Sequence, residues 1–133
     1  MPPENISPWI RKAENDLLAV DNNLVAARVP FDVVCYHCQQ ATEKYLKALL
    51  VSLGAKPSRT HDLLALLQES RTYLIPSPPD TIEKACAVLN SYGVEVRYPD
   101  DQSEPSAEDA SEARERAETV RRWVRGLILK YPT

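Results

Sequence analysis

Glycine is scarce in this chain, with three residues in 133. Its prolines gather between periodic stretches instead of inside them. A turn-rich β fold needs many residues of both kinds at its turns, so the pattern points to long helices. Long apolar runs are missing as well. No stretch approaches the ~20 residues that cross a bilayer, and the opening Met1-Pro2-Pro3-Glu4-Asn5 lacks the charged-then-apolar layout of a secretory signal. The chain is expected to be cytoplasmic, with no membrane partner. A strong excess of one charge is also absent. At a formal net charge of -3 the whole surface is no electrostatic footprint for nucleic acid, which leaves only local basic strips to consider. Cysteine occurs three times, at positions 35, 38 and 86, an odd number that fits reduced thiols better than a disulfide framework.

What is present is ordinary for a globular domain: 44% apolar and 26% charged residues, in a length that buries a core without staples or metal. Residues 1–133 are read as one domain. Ser7 offers a cap and Pro8 a first helical position, after which Trp9, Ala13, Leu17, Val20, Leu24 and Ala27 recur at steps of three and four, predicting a helix to about Arg28. Asp32 is the expected cap of a second helix running to Leu53, with Gly54 as its stop. The short turn between the two makes them antiparallel.

Thr60 is expected to cap a short appended helix carrying Leu63, Leu64 and Leu67, with Asp62 at its start satisfying free backbone N–H groups and suiting the dipole. The run Ile75-Pro76-Ser77-Pro78-Pro79 cannot continue it. Asp80 and Glu83 have capping-box spacing ahead of Ile82, Ala85, Cys86, Leu89 and Val96, and Pro99 ends that helix. Ser106 and Asp109 repeat the box before Ala110, Ala113, Ala117, Val120, Val124 and Leu127. The fold class expected is all-α, an up-and-down four-helix bundle with one additional short helix.

Helix two carries the densest polar set. Spacing places His37, Gln40, Lys44 and Lys47 on one line of its surface with Glu43 beside them, offering imidazole, amide and ammonium groups to one ligand. The plainer reading is a solvated face with a Glu43–Lys47 ion pair worth about 0.3 kcal/mol. Cys35, His37 and Cys38 are metal-ligand types, but structural zinc wants four ligands and helix neighbours splay apart, so no metal site is expected. Cys38 and Cys86 are read as small core residues. On the last helix Arg114, Arg121 and Arg125 share a side with Glu115 and Glu118 interleaved, a mixed-charge face for which RNA binding is the minor reading.

The segment Gln39-Gln40-Ala41-Thr42-Glu43-Lys44-Tyr45-Leu46-Lys47-Ala48-Leu49-Leu50 resembles the signature of the HEPN family. Thr60-His61-Asp62-Leu63-Leu64 and the stretch from Leu89 and Asn90 through Arg97, Tyr98, Pro99 and Asp100 reinforce it. The likeness is to the short stand-alone branch, and it implies a helical bundle that pairs as a homodimer and is encoded beside a minimal nucleotidyltransferase. It further implies a nucleotide-binding or nucleotidyltransferase-partner role, as half of a toxin–antitoxin pair, with an ATP-like nucleotide as ligand and no cofactor. The ligand-binding set expected is His37, Gln40, Glu43, Lys44, Lys47, His61, Arg97 and Tyr98, with Gln40, Lys44 and Lys47 on phosphate and polar groups and Glu43 orienting a lysine.

Some family members cut RNA with an arginine followed, after four to six residues, by a histidine. The matching positions after Arg97 are Gln102, Ser103 and Glu104, and neither His37 nor His61 follows an arginine at that interval. No catalytic residue is therefore assigned. The alternatives are an RNA-cleaving toxin with a non-standard arrangement of Arg97, His61 and His37 across a dimer interface, and a purely structural interaction module.

Overall fold

The computed structural model describes residues 5–93 and 104–130. Among them are five helices and no strand: α1 (Ser7–Leu24), α2 (Phe31–Ser52), α3 (Leu63–Arg71), α4 (Asp80–Asn90) and α5 (Ala107–Lys130). This is the four long helices plus a short one that the apolar spacing predicts. The second helix is the hub, packing against α1, α5, α3 and α4. Its central position explains a composition that periodicity alone does not: from Ala41 to Leu50 every residue except Lys44 is buried. A helix covered on nearly all sides cannot keep a polar stripe in water, and this governs the chemistry described below.

Local spacing translates directly into burial elsewhere. Ala13, Leu17 and Val20 of α1, Ile82, Ala85, Cys86 and Leu89 of α4, and Ala110, Ala113, Ala117, Val120 and Val124 of α5 all lie in the core. Leu24 and Leu127 pack at its margin, Ala27 is exposed beyond the end of α1, and Val96 lies outside the described residues. The three cysteines are buried and form no disulfide. Burial pushes the Cys38 thiol up to about 12, with Cys35 adding to it, and does the same for Cys86.

Several helix ends differ from the sequence expectation, each for a local reason. The first helix stops at Leu24, where the Asn23 side chain donates to the Ala19 carbonyl and its backbone carbonyl accepts from Ala26. Its cap position is Ile6, an anchored core residue, rather than Ser7. Pro30 occupies the cap of α2 and Asp32 falls in the first turn, where its charge still suits the dipole. Pro79 likewise heads α4, leaving Asp80 and Glu83 in the first turn without a cap bond, and the helix ends at Asn90 in a turn that bonds Tyr92 N–H to Leu89 O, short of the expected stop at Pro99.

The α3 cap is Asp62, not Thr60. Its carboxylate accepts from Leu64 and Ala65 backbone N–H groups and from the Asn90 side chain, and these bonds hold its pKa below the usual range. Nor is α3 an appendage, since Leu63, Leu66, Leu67 and Ser70 are buried and the helix packs against α2 and α4; Leu64 turns outward instead. Two expectations hold in detail. Gly54, at φ 83, closes α2 in a Schellman arrangement, Gly54 N–H bonding Val51 O and Ala55 N–H bonding Leu50 O. Ser106 and Asp109 form the reciprocal capping box of α5.

Candidate functional site

A buried helix face forces polar groups to find partners, and the α2 line does so in two clusters. The first centres on Asp16 of α1. One carboxylate oxygen accepts from His37 Nδ1 at 3.0 Å and the other from Lys44 Nζ. Only 12% of the Asp16 side chain is exposed, so the carboxylate lies beneath the imidazole and the ammonium. The second centres on Glu43, whose side chain is 6% exposed. Its Oε2 accepts from Lys47 Nζ at 3.1 Å, and its Oε1 accepts from His61 Nδ1 at 2.8 Å. Lys47 also stands 5.7 Å from the centroid of the Trp9 ring of α1, a cation–π contact that covers the ammonium.

The Glu43–Lys47 pair is thus not the solvated surface pair of the plainer reading. Trp9 of α1 and His61 of the segment leading into α3 stand against it, and both side chains lie out of water. A carboxylate has no hydrogen to give, so the ring nitrogen facing it carries the proton in each case. His37 and His61 are therefore held with Nδ1–H inward, and neither Nε2 has a hydrogen-bond partner among the described residues. His61 is the more accessible, with 72% of its side chain exposed.

A chain of amides completes the second cluster. Gln40 Nε2 donates to Gln39 Oε1, and Gln39 Nε2 donates to the His61 backbone carbonyl at 2.9 Å. Gln39 is fully buried, and a Cβ on Gly93 would stand 3.4 Å from its amide nitrogen. Asn90 Oδ1 accepts from Leu63 N–H, so α4 also fixes the turn that presents His61.

Of the eight residues expected to bind ligand, the structure brings Gln40, Glu43, Lys47 and His61 into one network and His37 and Lys44 into the neighbouring one. Arg97 and Tyr98 lie outside the described residues. Sequence reasoning missed Asp16, Trp9 and Gln39 as members of the site. Asp16 had a signal, since it borders the Ala13, Leu17 and Val20 stripe and supplies an acid to a partner helix rich in cations.

Cys35 and Cys38 are in the core while His37 faces Asp16, so the three are not gathered, and no group of three possible metal ligands occurs among the described residues. The arginines of α5 are occupied. Arg114 makes a two-point contact with Asp21 and reaches Glu118, Arg121 spans Glu14 and Glu118, and Arg125 approaches Glu14. Hydrogen bonding to these acids raises the pKa of Arg114 and Arg121. A separate apolar groove runs between the 74–79 connector and α5, walled by Leu74, Ile75, Pro76, Trp123 and Leu127. It shares no residue with the polar clusters. No helix among the described residues is long and apolar enough to cross a membrane.

Comparison with known proteins bears on the same region. The chain is similar to ST0689, an archaeal HEPN homologue of known crystal structure, at 27% identity and a TM-score of 0.72 over 92% of this chain and 97% of that one. It is similar to the crystal structure of TT1696 from Thermus thermophilus at 25% identity and a TM-score of 0.77, over 93% and 98% of the two chains. No curated protein matches it. The HEPN domain model matches residues 6–127, which takes in all of α2 and the buried network around Glu43, and the chain belongs to the HEPN family.

Proposed function

We propose that this chain is a non-catalytic HEPN subunit, working as a homodimer that contacts a nucleotide together with a minimal nucleotidyltransferase partner, as in a toxin–antitoxin pair. The observation that carries this reading is the Glu43-centred network. A carboxylate, an ammonium, an imidazole and two amides from α2 and the α2–α3 loop are held in one arrangement by their own hydrogen bonds. Such preorganisation is costly in an isolated fold, because burying Glu43 and Lys47 strips both of water and only good geometry offsets it. It suits a surface that orients a polar ligand or partner.

The RNA-cleaving alternative has less support. A cleavage site needs a general base and a group that stabilises the developing phosphorane charge, and the cations of the α2 line, Lys44 and Lys47, are already neutralised by Asp16 and Glu43. The purely structural alternative leaves the locked outward imidazole of His61 without a purpose.

The test is calorimetry of the full chain with ATP, alone and with a candidate nucleotidyltransferase, alongside size-exclusion chromatography of the two proteins. A stable complex in which nucleotide affinity exceeds that of either protein alone supports the proposal. Absence of both complex formation and nucleotide binding contradicts it. Growth arrest on expression, relieved by His61→Ala, would favour the RNA-cleaving alternative instead.

A further inference from the structure

The groove between the 74–79 connector and α5 lies outside both polar clusters, and its walls stand without help from a ligand. Leu74 and Pro78 of the connector are buried, and the proline rings at 76, 78 and 79 restrict its backbone. The wall that Ile75 and Pro76 present is therefore in place beforehand, and a partner has little of it to order. Ile75 is 91% exposed, and the opposite wall is Trp123 and Leu127 of α5, both only partly buried. A bulky aliphatic residue held in water beside an apolar recess marks a surface that gains by being covered. The space is about 410 Å³, enough for a small ligand or a few side chains. Its polar side chains, Ser77 and Arg122, are both exposed, so no buried polar groups converge to orient a small molecule, and apolar side chains of a protein segment fit it better.

Gly126 supplies a second observation. It lies within α5, where glycine is a poor helix former because it loses the most backbone freedom on folding. A Cβ there would meet nothing within 4 Å, so packing among the described residues gives no reason for leaving it out. Gly126 also lines the groove. Its bare backbone lets another chain come close to α5.

Charge selects the occupant. From Thr119 to its end α5 carries Arg121, Arg122 and Arg125 and no acid. Asp21, Glu14 and Glu118 serve Arg114, Arg121, Arg122 and Arg125 together, one acid short. The shortfall falls on Arg122. It makes one bond, from Nε to Glu118 at 3.1 Å, and Glu118 already accepts from Arg114 and Arg121. The Arg122 side chain is 79% exposed, so this pair is weak and the guanidinium can take a further carboxylate. Glu115 stands two turns back, roughly 10 Å along the helix axis and near the limit of screening. Asp80, next to Pro79, sits in the first turn of α4, where the helix dipole already matches its charge.

We propose that this groove docks an acidic, apolar segment of another protein, with a bulky side chain between Ile75 and Trp123, backbone close to Gly126 and a carboxylate on Arg122. An anionic membrane shares the charge but calls for apolar groups that protrude, whereas Trp123, Leu127 and the bare Gly126 line a recess. No residue of the groove belongs to the Glu43 network, so the inference stands apart from the nucleotide reading.

The experiment selects binders to the full chain from a random peptide display library and measures the enriched peptides by fluorescence anisotropy. They should combine bulky apolar residues with Asp or Glu. Arg122→Glu should weaken such a peptide about tenfold and favour its counterpart with Lys in place of the acids, a reversal that loss of folding cannot produce. Gly126→Leu should raise Tm, because it improves the helix, and yet weaken the peptide about tenfold, because it fills the recess. Ile75→Ser, at an exposed side chain, should weaken it several-fold. ATP affinity should be the same in all three variants, so failure here and failure of the nucleotide reading are separate results. No enrichment, enrichment of basic or wholly polar peptides, or acidic peptides whose binding ignores Arg122→Glu and Gly126→Leu overturns the inference. Binding to phosphatidylglycerol vesicles in place of any peptide also overturns it, giving the surface to a membrane.

Discussion

Replacing Glu43 by alanine is the sharpest perturbation of the buried network. The side chains of Glu43 and Lys47 are 6% and 10% exposed, so Glu43→Ala strands an ammonium in low-dielectric surroundings with the Trp9 face as its remaining company. Breaking a buried pair by removing one partner costs about 3–5 kcal/mol. The lower half of that range applies here, because Lys47 keeps a narrow path to water and its cation–π contact. A loss of about 3 kcal/mol corresponds to a fall in Tm of about 10 °C for a chain of this size. His61→Ala should cost less than about 1 kcal/mol, since its ring is largely in water. The double replacement of Glu43 and Lys47 by methionine should fall within about 1 kcal/mol of the parent, because both desolvation penalties vanish together. Equilibrium urea unfolding with a fixed m-value measures all three. A cost below about 1 kcal/mol for Glu43→Ala would mean that the pair is solvated, as exposed pairs are, and that the α2 face is not covered.

Three further outcomes concern the core and the α3 cap. Tyr45 is fully buried and its hydroxyl has no hydrogen-bond partner among the described residues, so Tyr45→Phe should raise stability by about 1 kcal/mol in urea unfolding. The thiols of Cys38 and Cys86, pushed up to about 12 by burial, should resist a thiol reagent at pH 8 until the chain is unfolded. Because their folded pKa lies above the unfolded one, their contribution to stability is complete below about pH 9 and is lost as pH rises from there towards 12, which thermal unfolding across that window would register. Asp62→Ala removes the α3 cap and the Asn90 contact, and should cost about 1 kcal/mol with faster amide exchange confined to α3 and the preceding loop.

The core was readable in the sequence because its signal is local. Ala13, Leu17 and Val20, the α4 set from Ile82 to Leu89, and the alanines and valines of α5 declare their face by spacing alone. Helix caps were less readable. Thr60 and Asp62 are both capable of the role, and Asn90, a residue of another helix, decides between them. The same limit applies to the candidate site. Spacing gathers His37, Gln40, Lys44 and Lys47 on one line, but whether that line meets water or a neighbour depends on Trp9 and Asp16 of α1 and on the approach of His61. Those contacts join residues far apart in the chain, and no pattern within α2 encodes them. Gln39 illustrates the point. Its place in the family-like segment was plain, yet its task of holding the His61 carbonyl emerges only once α3 is in position.

The most direct test of the central claim is an amide and imidazole chemical-shift titration of the full chain with ATP. Shifts are predicted to concentrate on Gln39, Gln40, Glu43 and Lys47 and on the Nε2 resonance of His61, while Nδ1 keeps its proton. Shifts confined instead to the groove formed by Leu74, Ile75, Trp123 and Leu127, or an unperturbed His61 ring at saturating nucleotide, would contradict it.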